Sequence, residues 1–345
     1  MSALFGDLIG QPLAVDLLSA ALAQGRVAPA YLFAGPEGVG RQLAAVRFLE
    51  GLLADGQSSA RERRRLLERN HPDLLWVAPT YQHQGRLLTR AEAEEAGLSR
   101  RTPPQLRLEQ IRDIGRCLAR QPVEAKRGMV VIEAAEAMAE AAANALLKTL
   151  EEPGHGVLIL LTSAPERLLS TIRSRCQLIR FLRLNPEAMA QVLERTGATS
   201  QDAPELLALA AGSPGALIDH RRSLAGLPEE LVQRLDSLPA TPMEALALAR
   251  DLCEALDGEQ QLWLIGWWQH RLWRSGSSAS SLKRLDTLRG QLLSFVQPRL
   301  AWEVALLDLT PSVTQEHKGD QAEARSPCCL RSSRAMATTS SRPSI

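Results

Sequence analysis

The sequence has almost no surplus of either charge sign: 40 basic against 39 acidic side chains leave a formal net charge of +1 over 345 residues. Bulk electrostatics therefore gives no argument for a nucleic-acid or acidic partner, and any such contact must come from a local patch. Cysteine is sparse. Cys117, Cys176, Cys253, Cys328 and Cys329 are the full set, and apart from the adjacent last pair their scatter shows neither a disulfide framework nor a zinc quartet. Scattered thiols suit a reducing cytoplasm. No apolar run reaches the roughly 18 residues that a membrane span needs. The opening MSALFGDLIGQ has no basic region followed by an apolar core, so a signal peptide is not expected. A cytoplasmic chain with no membrane partner is the resulting expectation. What is present is ordinary for a globular protein, 45% apolar and 23% charged residues, on a length that fits two or three domains.

Hydrophobic periodicity organises the first half. Apolar residues at helical spacing predict a helix over Leu13–Leu22, and Ala30-Tyr-Leu-Phe-Ala34 reads as a buried strand that stops at Gly35-Pro36. The loop Gly35–Gly40 then leads into a helix, RQLAAVRFLEGLL. Between Gly51 and Asn70 lies the Arg-rich ARERRRLLER, read as a solvated charged helix in preference to a DNA contact. A turn at Asn70-His-Pro-Asp73 precedes a strand at Leu74–Val77, a loop around Gly85 and EAEEAG, and a helix over Leu106–Leu118. Further strands are expected at Gly128–Ile132, Val157–Thr162 and Gln177–Phe181, with a helix over Ala135–Leu150 between the first two. The 128–132 run is nearly all apolar, as in a parallel strand buried on both faces. Strands alternating with helices indicate a three-layer α/β domain. After about Asn185 the strand signals stop. Short helices are expected at Pro186–Thr196, Pro204–Ala211 and Gly215–Ala225, followed by a helical region from Pro228 to about Leu309 and a disordered Ser/Thr/Arg-rich tail from Pro311.

The glycine loop carries the chemistry. An active loop of the form GxxxxGK[ST] surrounds phosphates with backbone N–H groups, its Lys neutralises the terminal phosphates, and its hydroxyl holds Mg²⁺. Here Gly35, Gly38 and Gly40 keep the frame, but Arg41 stands at the Lys position and Gln42 at the hydroxyl position. Arg is not a neutral exchange for Lys at a tight site, and Gln42 offers no hydroxyl to a metal. The following strand would normally end in Asp-Glu, to position Mg²⁺ and orient the attacking water. It ends instead in Glu133-Ala134. Glu133 keeps a carboxylate that could approach a metal; Ala134 cannot activate water. Hydrolysis of ATP by this chain is not expected. A loop kept for the fold with no nucleotide is preferred over weak ATP or ADP binding.

Three further segments carry a resemblance: Asn144-Ala-Leu-Leu-Lys-Thr-Leu-Glu-Glu-Pro153, Leu160-Leu-Thr-Ser-Ala-Pro-Glu166, and Leu168-Leu-Ser-Thr-Ile-Arg-Ser-Arg-Cys176. Together they resemble the bacterial clamp-loader AAA+ subunits, and His71-Pro-Asp73 with Gly212-Ser-Pro-Gly215 resembles the delta-prime branch of that family. The likeness is close from Leu4 to Phe181 and looser beyond. It implies an AAA+ α/β domain over 1–184, a helical lid over 185–226 and a helical collar over 227–310 that assembles a hetero-pentameric ring, with a disordered tail over 311–345. It also implies that Arg175 reaches the ATP of a neighbouring subunit. Independently of the family, a guanidinium offers permanent charge and a fixed fork of donors to phosphate oxygens. Thr162 and Ser163 end a central strand where the family has a polar residue that senses phosphate; without bound ATP their role reduces to capping the strand. The lid arginine of ATP-hydrolysing relatives has no counterpart, Gly215 and Ala216 occupying that neighbourhood. A four-cysteine zinc module that many relatives carry is not expected, since Gly51–Asn70 contains no cysteine. The implied partners are the other loader subunits, the sliding clamp and primed DNA, within a polymerase III holoenzyme; no polymerase carboxylate constellation is present here.

The aromatic residues Trp263, Trp267, Trp268, Trp273 and Trp302 read as core or interface packing in preference to base stacking. Arg271, Arg274, Lys283, Arg284 and Arg289 form a modest basic cluster facing either DNA or another subunit. Two rival functions stand beside the main reading. One is an ATP-hydrolysing motor subunit of gamma/tau type, and the other a stand-alone DNA-binding AAA+ module with salt-dependent affinity.

Overall fold

A computed structural model describes residues 4–96, 103–197, 204–235, 238–294 and 296–310. The tail expected to be disordered lies outside the described residues. Helix α1 (Pro12–Ala23) starts with proline in its first turn, where a missing N–H costs nothing, and leads to the buried strand β1 (Ala30–Ala34). Helices α2 (Arg41–Leu53) and α3 (Ala60–Leu67) follow, then strand β2 (Leu74–Val77). Next come strands β3 (Tyr81–His83) and β4 (Arg86–Leu88) and helix α4 (Arg90–Glu95). The remainder of this half is α5 (Leu108–Leu118), β5 (Met129–Ile132), α6 (Glu140–Glu151), β6 (Val157–Thr162), α7 (Ser170–Arg173) and β7 (Gln177–Arg180).

The main sheet is parallel, with strand order β2-β5-β6-β1-β7. Its three central strands, β5, β6 and β1, are apolar and buried on both faces because helices cover both. Tyr31, Phe33, Met129, Val131, Ile159 and Leu161 join one core with α1 and α2, while Leu32, Val130, Ile132, Leu158 and Leu160 join another with α5, α6 and α7. That is the three-layer domain read from the alternation of elements.

Four local expectations are corrected. The EAEEAG segment, expected in a loop, is helical in its first part, where α4 runs over Arg90–Glu95. The stretch around Gly85 is a hairpin, β3 pairing antiparallel with β4. Its two turn residues, Gln84 (φ 47°) and Gly85 (φ 79°), both take positive φ, as a tight two-residue hairpin requires. Helix α5 starts at Leu108, because buried Leu106 exchanges backbone bonds with Ala137 and Ala139. The same pairing delays the helix expected from Ala135. A 3₁₀ turn occupies Ala135–Ala137, and α6 begins at Glu140.

Beyond Leu184 the described residues are helical: α8 (Pro186–Arg195), α9 (Pro204–Ala210), α10 (Pro214–Ala225), α11 (Glu229–Arg234), α12 (Pro242–Ala255), α13 (Gly258–Arg274), α14 (Ala279–Leu293) and α15 (Pro298–Leu309). No described helix is long and apolar enough to cross a membrane. Trp268 and Trp302 are fully buried, their indole N–H groups bonded to Leu235 O at 3.1 Å and Gln261 Oε1 at 3.0 Å. Trp267 is buried and stacks on Trp263, whereas Trp273 is exposed. Of the basic cluster, Arg284 pairs with Asp308, Arg289 bonds Gln269, and Arg271 lies over the Trp267 ring.

The Arg-rich helix α3 is tied down by carboxylates. Glu50, whose side chain is fully buried, accepts from Arg47 at 2.7 Å, from Arg63 at 2.9 and 3.0 Å, and from Ser59 N at 2.7 Å. Arg47 in turn pairs with Asp7, while Arg64 pairs with Glu68 and Arg65 with Glu124. These pairings favour the charged-face reading over a DNA contact. The His71-Pro-Asp73 turn is built the same way: buried Asp73 accepts from the backbone N–H groups of Val123, Glu124 and Ala125 at 2.6, 2.8 and 2.7 Å. Glu50→Ala removes the acceptor shared by Arg47, Arg63 and Ser59 N while Arg47 keeps Asp7, and is expected to cost about 1–3 kcal/mol, measured by denaturant unfolding. Amide exchange should rise first in α3.

Candidate functional site

Glycine determines how the loop after β1 is built. Gly35 N donates to Thr162 O at 3.1 Å, and a side chain on Gly35 would meet Phe181 O at 2.3 Å. Gly38 (φ 72°) and Gly40 (φ 101°) take left-handed backbone conformations that disfavour side chains. Gln11, itself buried, donates to Val39 O at 3.2 Å and Leu182 O at 2.7 Å, fixing the loop against the exit of β7.

Helix α10 closes over this loop. Ser213 caps α10 by accepting from Ala216 N at 3.2 Å, and its hydroxyl donates to Glu37 O at 2.6 Å. Gly215 N donates to Gly38 O at 3.1 Å. A Cβ on Gly38 would lie 2.7 Å from Gly215 Cα, and one on Gly215 would lie 2.5 Å from Gly38 Cα. The two backbones touch because neither residue carries a side chain.

Gly35, Gly38, Gly40, Arg41, Gln42 and Thr162 gather at the carboxyl ends of β1 and β6, where ligands of parallel α/β sheets bind. Burial holds the Arg41 guanidinium below its ordinary pKa, against the pull of Glu37 and Glu136. Gln42 is exposed. Glu133 sits at the end of β5 and its carboxylate is engaged elsewhere, by Arg69 at 2.9 Å and by the Trp76 indole N–H. Ala134 holds a left-handed φ of 44° and starts the 3₁₀ turn.

Glu136 was not anticipated. Its carboxylate accepts from Ser163 N at 3.0 Å and from the Ser163 hydroxyl. Burial disfavours its charge, but the bonds from Ser163 and Thr162 outweigh burial and hold the Glu136 carboxyl below the usual range. A resident anion therefore sits beside the threonine that would sense phosphate. Only the fold reveals this, because three alanines and a methionine surround Glu136 in sequence and suggest a plain helix.

Arg175 lies apart, in the turn between α7 and β7. Ile172 is fully buried and Cys176 packs against the same core, so the base of the turn is anchored. The exposed guanidinium donates to Thr171 O at 3.0 Å and to Glu151 at 2.8 Å. Burial pushes the Cys176 thiol up to about 11, which marks it as a packing residue and not a nucleophile.

A glycine loop at the carboxyl end of a parallel sheet, closed over by α10 and standing apart from a surface arginine, defines an α/β protein of the AAA+ type in fold. Residues 10–185 match the family described as DNA polymerase III, delta subunit, and residues 187–309 match the cyanobacterial DNA polymerase III delta prime C-terminal domain. This chain belongs to the DNA polymerase III delta-prime family. It is 31% identical over 259 residues to subunit delta' of Pseudomonas aeruginosa, covering 70% of this chain and 69% of that protein. Against subunit delta' of Bacillus subtilis the identity is 32%, over 52% of this chain and only 50% of the relative. The gamma/tau subunit of Mycobacterium tuberculosis is 29% identical over 262 residues, 73% of this chain and 42% of that one. A gamma subunit-related protein from Thermotoga maritima superposes with a TM-score of 0.51 at 19% identity, covering 86% of this chain and 98% of that chain, a likeness of fold.

Two outcomes follow from this geometry. Gly38→Ala should destabilise the chain by about 1–3 kcal/mol through its strained φ and loosen α10, seen as a lower Tm and faster amide exchange in α10. Cys176 should alkylate slowly at pH 8, its rate rising about tenfold per pH unit toward 11; a plateau near pH 8 would contradict the burial of the thiol.

Proposed function

We propose that this chain is a non-hydrolysing ring member of a bacterial clamp loader, which lends Arg175 to the ATP bound by an adjacent motor subunit. The observation that carries this reading is the contrast between the two places. At the chain's own loop the cation is a half-buried Arg41, Gln42 stands at the metal anchor and Ala134 at the acid, and Glu136 supplies a competing negative charge. At the surface, Arg175 stands on a turn anchored by Ile172 and Cys176. A guanidinium has five N–H donors in a rigid fork. Thr171 and Glu151 engage two of them, which leaves donors for phosphate oxygens across a subunit boundary.

In this role the chain needs no cofactor of its own, and its partners are the other loader subunits, the sliding clamp and primed DNA, in the cytoplasm. A motor role is disfavoured by the same four residues. A stand-alone DNA-binding role is disfavoured by the pairing of the α3 arginines and the near-zero net charge. In a loader reconstituted with its motor subunits, Arg175→Ala should cut ATP turnover at the adjoining site by about 10³-fold or more and depress clamp loading. Assembly, followed by gel filtration, should be unchanged. Undiminished turnover and loading would overturn the assignment.

A further inference from the structure

The geometry points to Glu151 as the positioning residue of Arg175, an inference that rests on the reading of Arg175 as a finger acting in trans. The two residues are 24 apart in sequence and belong to different motifs, one ending α6 and the other following α7. The fold brings them to 2.8 Å. Nothing in helix formation asks for an acid at this place: Glu151 is the last residue of α6, where the helix macrodipole disfavours negative charge. The Arg175 guanidinium compensates both the carboxylate and the helix end.

The pair does little for stability. Its side chains are 37% and 54% exposed, and ion pairs in that setting contribute little to folding. Its effect is on orientation. Arginine has a long side chain with large rotamer entropy. Here one nitrogen is bonded to Thr171 O and another to Glu151, so the fork is held at its tip while Ile172 and Cys176 hold its base. A guanidinium placed before a neighbour's phosphates arrive acts as a preorganised charge, which is more effective than one that must be ordered during the reaction. When a subunit interface excludes water, the same pair strengthens, because its local dielectric falls.

The test uses the full chain in a loader reconstituted with its motor subunits, comparing Glu151→Ala, Glu151→Gln, Arg175→Ala, the double variant Glu151→Ala/Arg175→Ala, and Glu152→Ala as the adjacent exposed carboxylate. Glu151→Ala should lower kcat for ATP about two- to fivefold, with KM for ATP and assembly unchanged. Glu151→Gln, which keeps an acceptor oxygen, should recover part of the loss, and Glu152→Ala should behave as wild type. The double variant should be no slower than Arg175→Ala. If Arg175→Ala impairs turnover but Glu151→Ala matches or exceeds wild type, or slows the Arg175→Ala background equally, the positioning role is wrong and the finger stands. If Arg175→Ala itself has no effect, the underlying reading fails and takes this one with it.

Discussion

The structure turns on a place where two backbones touch. Gly38 in the phosphate loop and Gly215 at the start of α10 approach so closely that a single Cβ on either would collide with the other's Cα. The Ser213 hydroxyl and Gly215 N–H then bond the carbonyls of Glu37 and Gly38. This joins the helical half of the chain to the loop at the end of β1 without any large side chain between them. Steric exclusion, and not hydrophobic area, decides the composition there. It also gives the glycines at Gly35 and Gly38 a role in packing that holds whether or not the loop meets a phosphate.

Charge is arranged by the same economy. Buried Glu50 gathers Arg47, Arg63 and the start of α3 into one network, and buried Asp73 gathers three backbone donors. Each carboxylate replaces water by several fixed donors, which is what allows a charge to be removed from solvent. Glu136 follows the rule near Thr162, where bonds from Ser163 hold its negative charge in place. Arg175 departs from it. Its partner Glu151 is exposed, its donors are not all engaged, and its charge remains open to the outside.

Much of this was readable from residue order. The buried strands Ala30–Ala34, Met129–Ile132 and Val157–Thr162 are dense apolar runs bounded by glycine, proline or charge, and such runs have few alternatives to a covered parallel sheet. The proline-led helices after Leu184 were legible for a similar reason, since proline at a first helical turn marks a start. The hairpin at Tyr81–Leu88 was not, because three-residue strands are too short to show a period and the decisive signal was the paired positive φ at Gln84 and Gly85. The displaced start of α6 was also hidden: Leu106, far away in sequence, takes the backbone positions that an alanine-rich helix would otherwise occupy.

The sequence by itself determined the sheet, the loss of the loop's lysine, hydroxyl and water-activating acid, and the motif that bears Arg175, because these depend on residue type and local spacing. The tertiary structure decided which charges meet. That Glu133 turns to Arg69 and Trp76, that Glu136 enters the neighbourhood of Thr162, and that Glu151 holds Arg175 follow from strand order and helix placement. Pairings between residues distant along the chain are products of three-dimensional closure, and no local pattern encodes them.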